Sequence, residues 1–201
     1  MTSINGSQAL VQRYWPAREQ AGMGSGALRA ALRAGALIAF GSLFLAVMAQ
    51  IKVPMWPVPI TLQTFAILLL GLTYGFRLGT ATILAHVAQG ALGLPVFAGG
   101  TGGIAVLMGP TGGYIAGFVL AVVLTGWLAD RGWSRRILPA IAALVIGNLA
   151  IYALGAGYLN AAFLGDWQKT LAVGVLPFLL GDALKIGLAV SVLQLGWRRR
   201  N

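Results

Sequence analysis

Long runs of uncharged, mostly apolar residues alternate along the chain with short segments that carry the charges. A helix needs roughly 20 apolar residues to cross the hydrocarbon core of a membrane, with a range of about 17–25. The run between Arg33 and Lys52 has this length, and the run between Arg77 and Asp130 is long enough for two crossings and a connection. We predict six membrane-spanning helices, over about 34–51, 60–76, 78–94, 113–129, 137–155 and 171–197.

Two segments inside these runs are unsuited to ordinary helix. Pro54, Pro57 and Pro59 lack the backbone donor that a helix interior requires, so the second helix is predicted to begin near Ile60. The stretch 94–113 is rich in Gly and Pro, which interrupt helices. We expect an extended, proline-stiffened segment before the second helix. The glycine-rich stretch is expected to be a loop that binds a ligand through backbone N–H groups, or a re-entrant loop covered by protein.

Composition supports an all-α integral membrane protein. Hydrophobic residues make up 58% of the chain and charged residues 9%, with a mean hydropathy of +0.84. Soluble domains carry about 25% charged residues, so this chain lacks the polar surface of a soluble protein. There are no cysteines, one histidine and four scattered acidic residues, which excludes thiolate sites and offers no ligand cluster for a metal ion. We divide the chain into an N-terminal tail, 1–26, and a membrane domain, 27–201.

The distribution of basic residues predicts the orientation. With six spans, one side of the membrane receives both termini and eleven of the 14 bases, whereas the other side receives only Lys52 and Lys169. Lys and Arg are enriched in cytoplasmic loops, so both termini are predicted to be cytoplasmic, in the cell (inner) membrane. The net charge of +10 does not indicate nucleic-acid binding, because the bases flank spans and form no stripe with interleaved aromatic residues.

Asp182 and Lys185 are the only charges in the last predicted span. Residues three apart on a helix share a face, and Pro177 places the pair near the outer end of the helix. Burying the two ions costs roughly 2.5–3.5 kcal/mol each at mid-membrane, and such residues usually mark a substrate or ion path. We therefore favour a ligand site over an ion pair that serves only helix packing.

Other polar side chains are candidates for the same site. Thr61, Gln63 and Thr64 would be delivered to the outer mouth of the second helix, although a threonine N-cap is an alternative. Asn148 and Tyr152 lie one turn apart in the fifth span and either line the cavity or bond across helices. His86 and Gln89 lie in the third span, and a hydrogen-bonded interior histidine is favoured over a proton relay or a ligand contact.

Small residues at Ala31, Gly35 and Ala39 recur every four positions on the first helix. Such a face lets another helix approach closely. It is either a docking face for a partner helix or part of the internal packing.

Four segments together resemble the BioY family, the biotin-binding membrane components (S-components) of energy-coupling-factor transporters. They are "PVPITLQT" (57–64), "GLPVFAGGTGG" (93–103), "GPTGGY" (109–114) and "PFLLGDALK" (177–185). The resemblance implies a six-helix, non-enzymatic subunit that captures biotin from outside with high affinity. It also implies partners, namely a transmembrane coupling protein and two ATPases. No nucleotide-binding motif occurs in this chain, and no cofactor is expected.

The resemblance suggests roles for the candidate residues. Asp182 would accept from a ureido N–H of biotin, and Lys185 would donate to the same head group or to a nearby carbonyl. Thr61, Gln63 and the N–H groups of the loop at 102–103 (Gly102 and Gly103) would complete the polar contacts. Trp56 and Phe97 would cover the apolar bicycle. The alternatives are an ion-coupled carrier that works alone, for which an inverted repeat would be expected, and an intramembrane enzyme, which would need a nucleophile paired with a base.

Overall fold

The computed structural model describes residues 9–11 and 25–198, and helices make up most of this part of the chain. In chain order the helices are α1 Ser25–Gln50, α2 Gln63–Ala91, α3 Ile104–Leu107, α4 Gly112–Asp130, α5 Ile137–Leu159, α6 Trp167–Gly174 and α7 Leu176–Arg198. Two short strands between α1 and α2, β1 Lys52–Val53 and β2 Ile60–Thr61, pair antiparallel. A 3-10 turn, Trp133–Arg135, precedes α5, and a π-helical segment, Asn160–Leu164, extends it.

Helix α2 reverses direction at Gly75. This glycine has φ 77° and ψ −176°, a conformation that is nearly exclusive to glycine. The side chains of Gln63 and His86 lie 3.1 Å apart, whereas 23 residues of straight helix would separate them by about 34 Å. The arms 63–74 and 76–91 therefore run antiparallel, so the chain passes through the bundle twice within α2.

The turn at Gly75 is held by the end of α4. Asp130 accepts a hydrogen bond from the backbone N–H of Phe76 at 3.1 Å, which satisfies one of the free donors at the start of the second arm. A side chain at Gly126 would lie 2.8 Å from the backbone of Gly75, so α4 passes directly over the turn. Small residues thus permit close backbone contact, as in other helical membrane proteins.

The six predicted crossings are present. Five segments of the described chain are long and apolar enough to span a membrane, and one of them is the reversed helix α2. Large apolar side chains on the outer surfaces of the bundle face outward, among them Phe40, Leu138, Leu180 and Leu184. This outer surface is suited to lipid rather than water, and the chain is a multi-pass membrane protein.

The two ends of the bundle differ in charge, as predicted. The turn at Gly75 contacts Asp130, and the guanidinium of Arg135 lies 5.2 Å from the ring of Trp197, so Arg77, the 131–136 segment and the C-terminal end of α7 share one end. The opposite end carries the β1–β2 hairpin, the 92–111 connection and the α5–α6 turn. We call these the basic end and the loop end.

Several helix boundaries differ from those predicted. α1 begins at Ser25, well before the predicted start at 34, because Arg29 and Arg33 continue the helix instead of ending it. The last span is divided at Val175 into α6 and α7, just before Pro177. The glycine-rich stretch contains the four-residue helix α3, so it is a structured loop.

The predicted N-terminal tail lies mostly outside the described residues. Within it, Ala9 is fully buried, and Leu10 lies against Gly196. Residues 9–11 therefore pack at the basic end, next to the C-terminal end of α7.

Candidate ligand-binding site

A cavity of about 160 Å³ opens at the loop end, between the start of α2, the 97–111 segment, α4, α5 and α7. Its polar lining consists of Thr61, Gln63, Thr64, Thr101, Thr111, Tyr114, Tyr152, Asp182 and Lys185. Its larger apolar lining residues are Val58, Pro59, Phe97, Val106, Ile115, Phe118, Ile151 and Phe178. Apolar walls with a few convergent polar groups are typical of small-molecule sites.

Asp182 and Lys185 form the charged part of this cavity. Lys185 Nζ lies 3.0 Å from Asp182 Oδ1, and the residues are only 7% and 5% exposed. The pair lies on one face of α7 because its members are three residues apart. The predicted pairing is therefore present, and it opens onto a cavity.

Two hydroxyl groups from other helices complete the pair. Thr64, on the first arm of α2, accepts from Lys185 Nζ at 2.8 Å and lies 3.5 Å from Asp182 Oδ1. Tyr152, on α5, donates to the other carboxylate oxygen of Asp182. Three helices therefore converge on one carboxylate, and hydrogen bonds of this kind help to offset the desolvation of a buried ion pair.

The charged pair can recognise a ligand that carries donors and acceptors side by side. A carboxylate only accepts hydrogen bonds, and an ammonium only donates them. A ligand N–H directed at Asp182 would form a charge-assisted bond, which is stronger than a neutral one. A ligand carbonyl next to that N–H could accept from Lys185. The arrangement fits a cyclic urea or amide better than a simple ion.

Aromatic side chains form the apolar walls. Phe178 lies one turn before Asp182 on α7, and its ring centroid is 6.4 Å from that of Tyr114 and 6.5 Å from that of Tyr152. Phe97, which is 2% exposed, packs against Gly90, where any side chain would overlap its ring. Tyr114 also donates to the carbonyl of Gly174 at 2.7 Å, which ties α4 to the break between α6 and α7.

Gln63 connects the cavity to a buried chain of polar groups. Its Nε2 lies 3.1 Å from His86 Nε2, and His86 Nδ1 lies 3.4 Å from Ser42 Oγ. Ser42 in turn donates to Gln89 Oε1 at 2.6 Å. His86 is thus a hydrogen-bonded interior histidine, the alternative that the sequence favoured.

Six of the ten predicted ligand residues line the cavity: Thr61, Gln63, Phe97, Tyr152, Asp182 and Lys185. The structure does not bring the other four to it. Trp56 is 82% exposed on the hairpin, and Asn148 is buried elsewhere on α5. Gly102 packs against the backbone of Leu94, and Gly103 donates its N–H to the carbonyl of Gly90 at 2.6 Å, so these glycines serve the loop itself.

Tyr114 and Phe178 line the cavity but were not singled out from the sequence. Tyr114 ends the motif "GPTGGY", and Phe178 lies four residues before Asp182, a spacing that puts it on the same helix face. That spacing is the signal by which Phe178 could have been found. Tyr114 carries no comparable signal, since its position depends on the packing of α4 against α5.

The described residues contain no group of three or more His, Cys, Asp or Glu that could hold a metal ion.

On α1, Ala31, Gly35 and Ala39 are exposed, and no atom lies within 4 Å of a side chain placed at Gly35. This face is therefore not part of the packing within the described chain.

Comparisons with known proteins give one consistent result. The model of the BioY family matches residues 20–201. A probable biotin transporter BioY of Pyrococcus horikoshii is 44% identical over 73% of this chain and 85% of its own length. The biotin transporter BioY of Thermotoga maritima is 40% identical, over 72% and 83% of the two chains.

A solved structure is similar as well. The S-component for biotin from an ECF-type ABC transporter superposes with a TM-score of 0.77 at 25% identity. The match covers 86% of this chain and 94% of that one. The fold described above is therefore shared over nearly the whole length of that chain.

Proposed function

The chain belongs to the BioY family, and we propose that it is the biotin-binding membrane subunit through which an energy-coupling-factor transporter takes up biotin. The observation that carries this proposal is the cavity with the Asp182–Lys185 pair at the loop end. Relatives with 40–44% identity are named biotin transporters, and the similar solved chain is an S-component for biotin.

Biotin matches the chemistry of the cavity. Its ureido ring has two N–H donors beside a carbonyl acceptor, and we infer that Asp182 accepts one N–H while Lys185 donates to the carbonyl. Tyr152 and Thr64 orient these two charged groups. Phe97 and Phe178 would cover the apolar part of the bicycle, where each buried aromatic contact adds to the hydrophobic stabilisation.

Uptake would require partner subunits. The similar solved chain is the S-component of an ECF-type ABC transporter, and we infer that energy comes from two ATPase subunits acting through a transmembrane coupling protein. This chain has no phosphate-binding loop motif of its own. We further infer that the chain resides in the cell (inner) membrane with both termini and the basic end in the cytoplasm. The cavity then opens to the outside, where biotin is captured.

Equilibrium binding tests the proposal directly. We expect the chain, purified in detergent and monodisperse, to bind radiolabelled biotin saturably and to release it to excess unlabelled biotin. Thiamine and riboflavin serve as control competitors and should not displace the label. A folded preparation without saturable biotin binding would contradict the proposal.

A further inference from the structure

The polar chain behind Gln63 has a defined direction. Ser42 donates its only hydroxyl hydrogen to Gln89 Oε1 at 2.6 Å. Towards His86 Nδ1, 3.4 Å away, the Ser42 oxygen can therefore act only as an acceptor, so the proton lies on Nδ1. A neutral imidazole protonated at Nδ1 has an acceptor at Nε2. The amide group of Gln63, 3.1 Å away, must then donate its N–H to that nitrogen.

This direction leaves the carbonyl of Gln63 available to the cavity. Once the amide nitrogen is committed to His86, Oε1 is the free end of a side chain that lines the cavity. Among the described residues, no group donates a hydrogen bond to this oxygen. The oxygen is also not fully enclosed by protein atoms. An amide that could flip would direct either its nitrogen or its carbonyl away from His86, whereas this one keeps its nitrogen at His86 and its carbonyl away from it.

We propose that His86 is a positioning residue for ligand binding: through Ser42 and Gln89 it holds the Gln63 amide so that its carbonyl accepts an N–H of the ligand. The inference rests on the proposed function and deepens it, because it assigns a second acceptor beside Asp182. Two acceptors match a ligand head with two N–H groups, such as a cyclic urea. A ring with one N–H would use only one of them.

The first experiment tests the direction of the chain without any ligand. The protein contains a single histidine, so ¹⁵N-histidine labelling, with a purification tag free of histidine, gives NMR signals from His86 alone. We expect the neutral tautomer with the proton on Nδ1 and with Nε2 unprotonated. Ser42→Ala should weaken this preference. A proton on Nε2 would reverse every bond in the chain and overturn the proposal.

The second experiment tests the consequence for binding. His86→Leu removes the acceptor for Gln63, and we expect about a tenfold loss of biotin affinity, the scale of one hydrogen bond. His86→Gln, which can present a carbonyl in place of Nε2, should recover part of the loss. Thr82→Val is the matched control. It is a fully buried residue on the same arm that bonds only the Leu78 carbonyl, and it should leave affinity unchanged.

Ligand analogues separate positioning from simple structural damage. Each of two cyclic carbamates replaces one ureido N–H of biotin with oxygen at nearly constant shape. His86→Leu should weaken one carbamate as much as biotin and leave the other almost unaffected, since the latter has lost the N–H that Gln63 accepts. Equal losses for biotin and both carbamates would overturn the proposal. Failure of the wild-type chain to bind biotin would instead count against the proposed function.

Discussion

Asp182 is the side chain on which the candidate site depends most. Lys185 and Thr64 reach one of its oxygens and Tyr152 reaches the other, from three different helices. A ligand N–H would be one more donor to a carboxylate that is already oriented. Removing its charge therefore affects the ligand and leaves the ammonium of Lys185 without its counter-ion.

We expect Asp182→Asn to lower biotin affinity by roughly 30- to 4,000-fold, because truncating one member of a buried, hydrogen-bonded charge pair costs about 2–5 kcal/mol. The measurement is a biotin titration of the purified variant, with thermal unfolding recorded beside it. Asp166→Asn is the matched control, since Asp166 is the half-buried N-cap of α6 and lies outside the cavity. Unchanged biotin affinity in Asp182→Asn would show that the pair serves only to hold α7.

Part of the arrangement around Asp182 could be predicted from the sequence. The charges of Asp182 and Lys185 stand out in an apolar run, so their burial together was predictable. The sequence could not show that Tyr152 on α5 reaches the same carboxylate while Asn148, one turn earlier, does not. That difference depends on the rotation of α5 about its axis, which packing determines.

Among the structural elements, the reversed helix α2 depends most on a single residue. At φ 77° and ψ −176°, Gly75 occupies a region that costs other residues about 1–3 kcal/mol. A side chain there would also lie 2.3 Å from Asp130 Oδ1. Arg77, the charge that separates the second and third predicted spans, lies two residues after this turn. Nothing in the apolar pattern distinguished Gly75 from the other glycines of the helix.

We expect Gly75→Ala to destabilise the protein by about 1–3 kcal/mol. Gly187→Ala is the control, because Gly187 lies in the interior of α7 with nothing within 4 Å of an added side chain, and alanine favours helix by about 1 kcal/mol. Thermal unfolding in detergent should show a lower midpoint for the first variant and an equal or higher one for the second. Equal midpoints would mean that the turn tolerates a side chain.

Helix α1 presents its small residues outward from the described chain. Because Ala31, Gly35 and Ala39 are exposed, the four-residue spacing is not explained by packing within the described chain. A docking face for a helix of the coupling protein stays our prediction.

Gly35→Leu should weaken association with the coupling protein while leaving biotin binding intact, because the added side chain blocks close helix approach. Gly187→Leu is the matched control on α7, where the glycine is equally open. Copurification with the coupling protein and ATPases, with the biotin affinity of each variant measured in parallel, checks the prediction. Wild-type copurification of Gly35→Leu would assign the face to lipid contact.

For the whole molecule, the grouping of charges and the number of crossings followed from the sequence. Uncharged runs gave the six crossings, and the bases collect at one end of the bundle. The cavity could not be derived in the same way. Its lining comes from α2, α4, α5, α7 and two connections, and apolar runs do not specify how such segments are arranged around one another.

The orientation in the membrane is tested with reporter fusions. A reporter active only outside the membrane should fail after Asn201 and work when inserted at the 165–166 turn of the loop end, because cytoplasmic segments carry the excess of Lys and Arg. A reporter active only in the cytoplasm should show the opposite pattern at the same two positions. The reverse outcome would place the cavity on the cytoplasmic side.

The length of the first arm of α2 determines how far a bound solute must still travel to cross the membrane. The arm 63–74 has 12 residues, or about 18 Å of helix, whereas the hydrocarbon layer is about 30 Å thick. In the proposed orientation the turn at Gly75 lies at the cytoplasmic boundary, and a solute bound at the level of Gln63 would have crossed about 12 Å of that layer. Biotin is an anion, and a full crossing against an inside-negative potential of 100 mV costs about 2.3 kcal/mol per charge. With an even field across the layer, roughly 60% of that electrical work would be left for the proposed ATP-driven step.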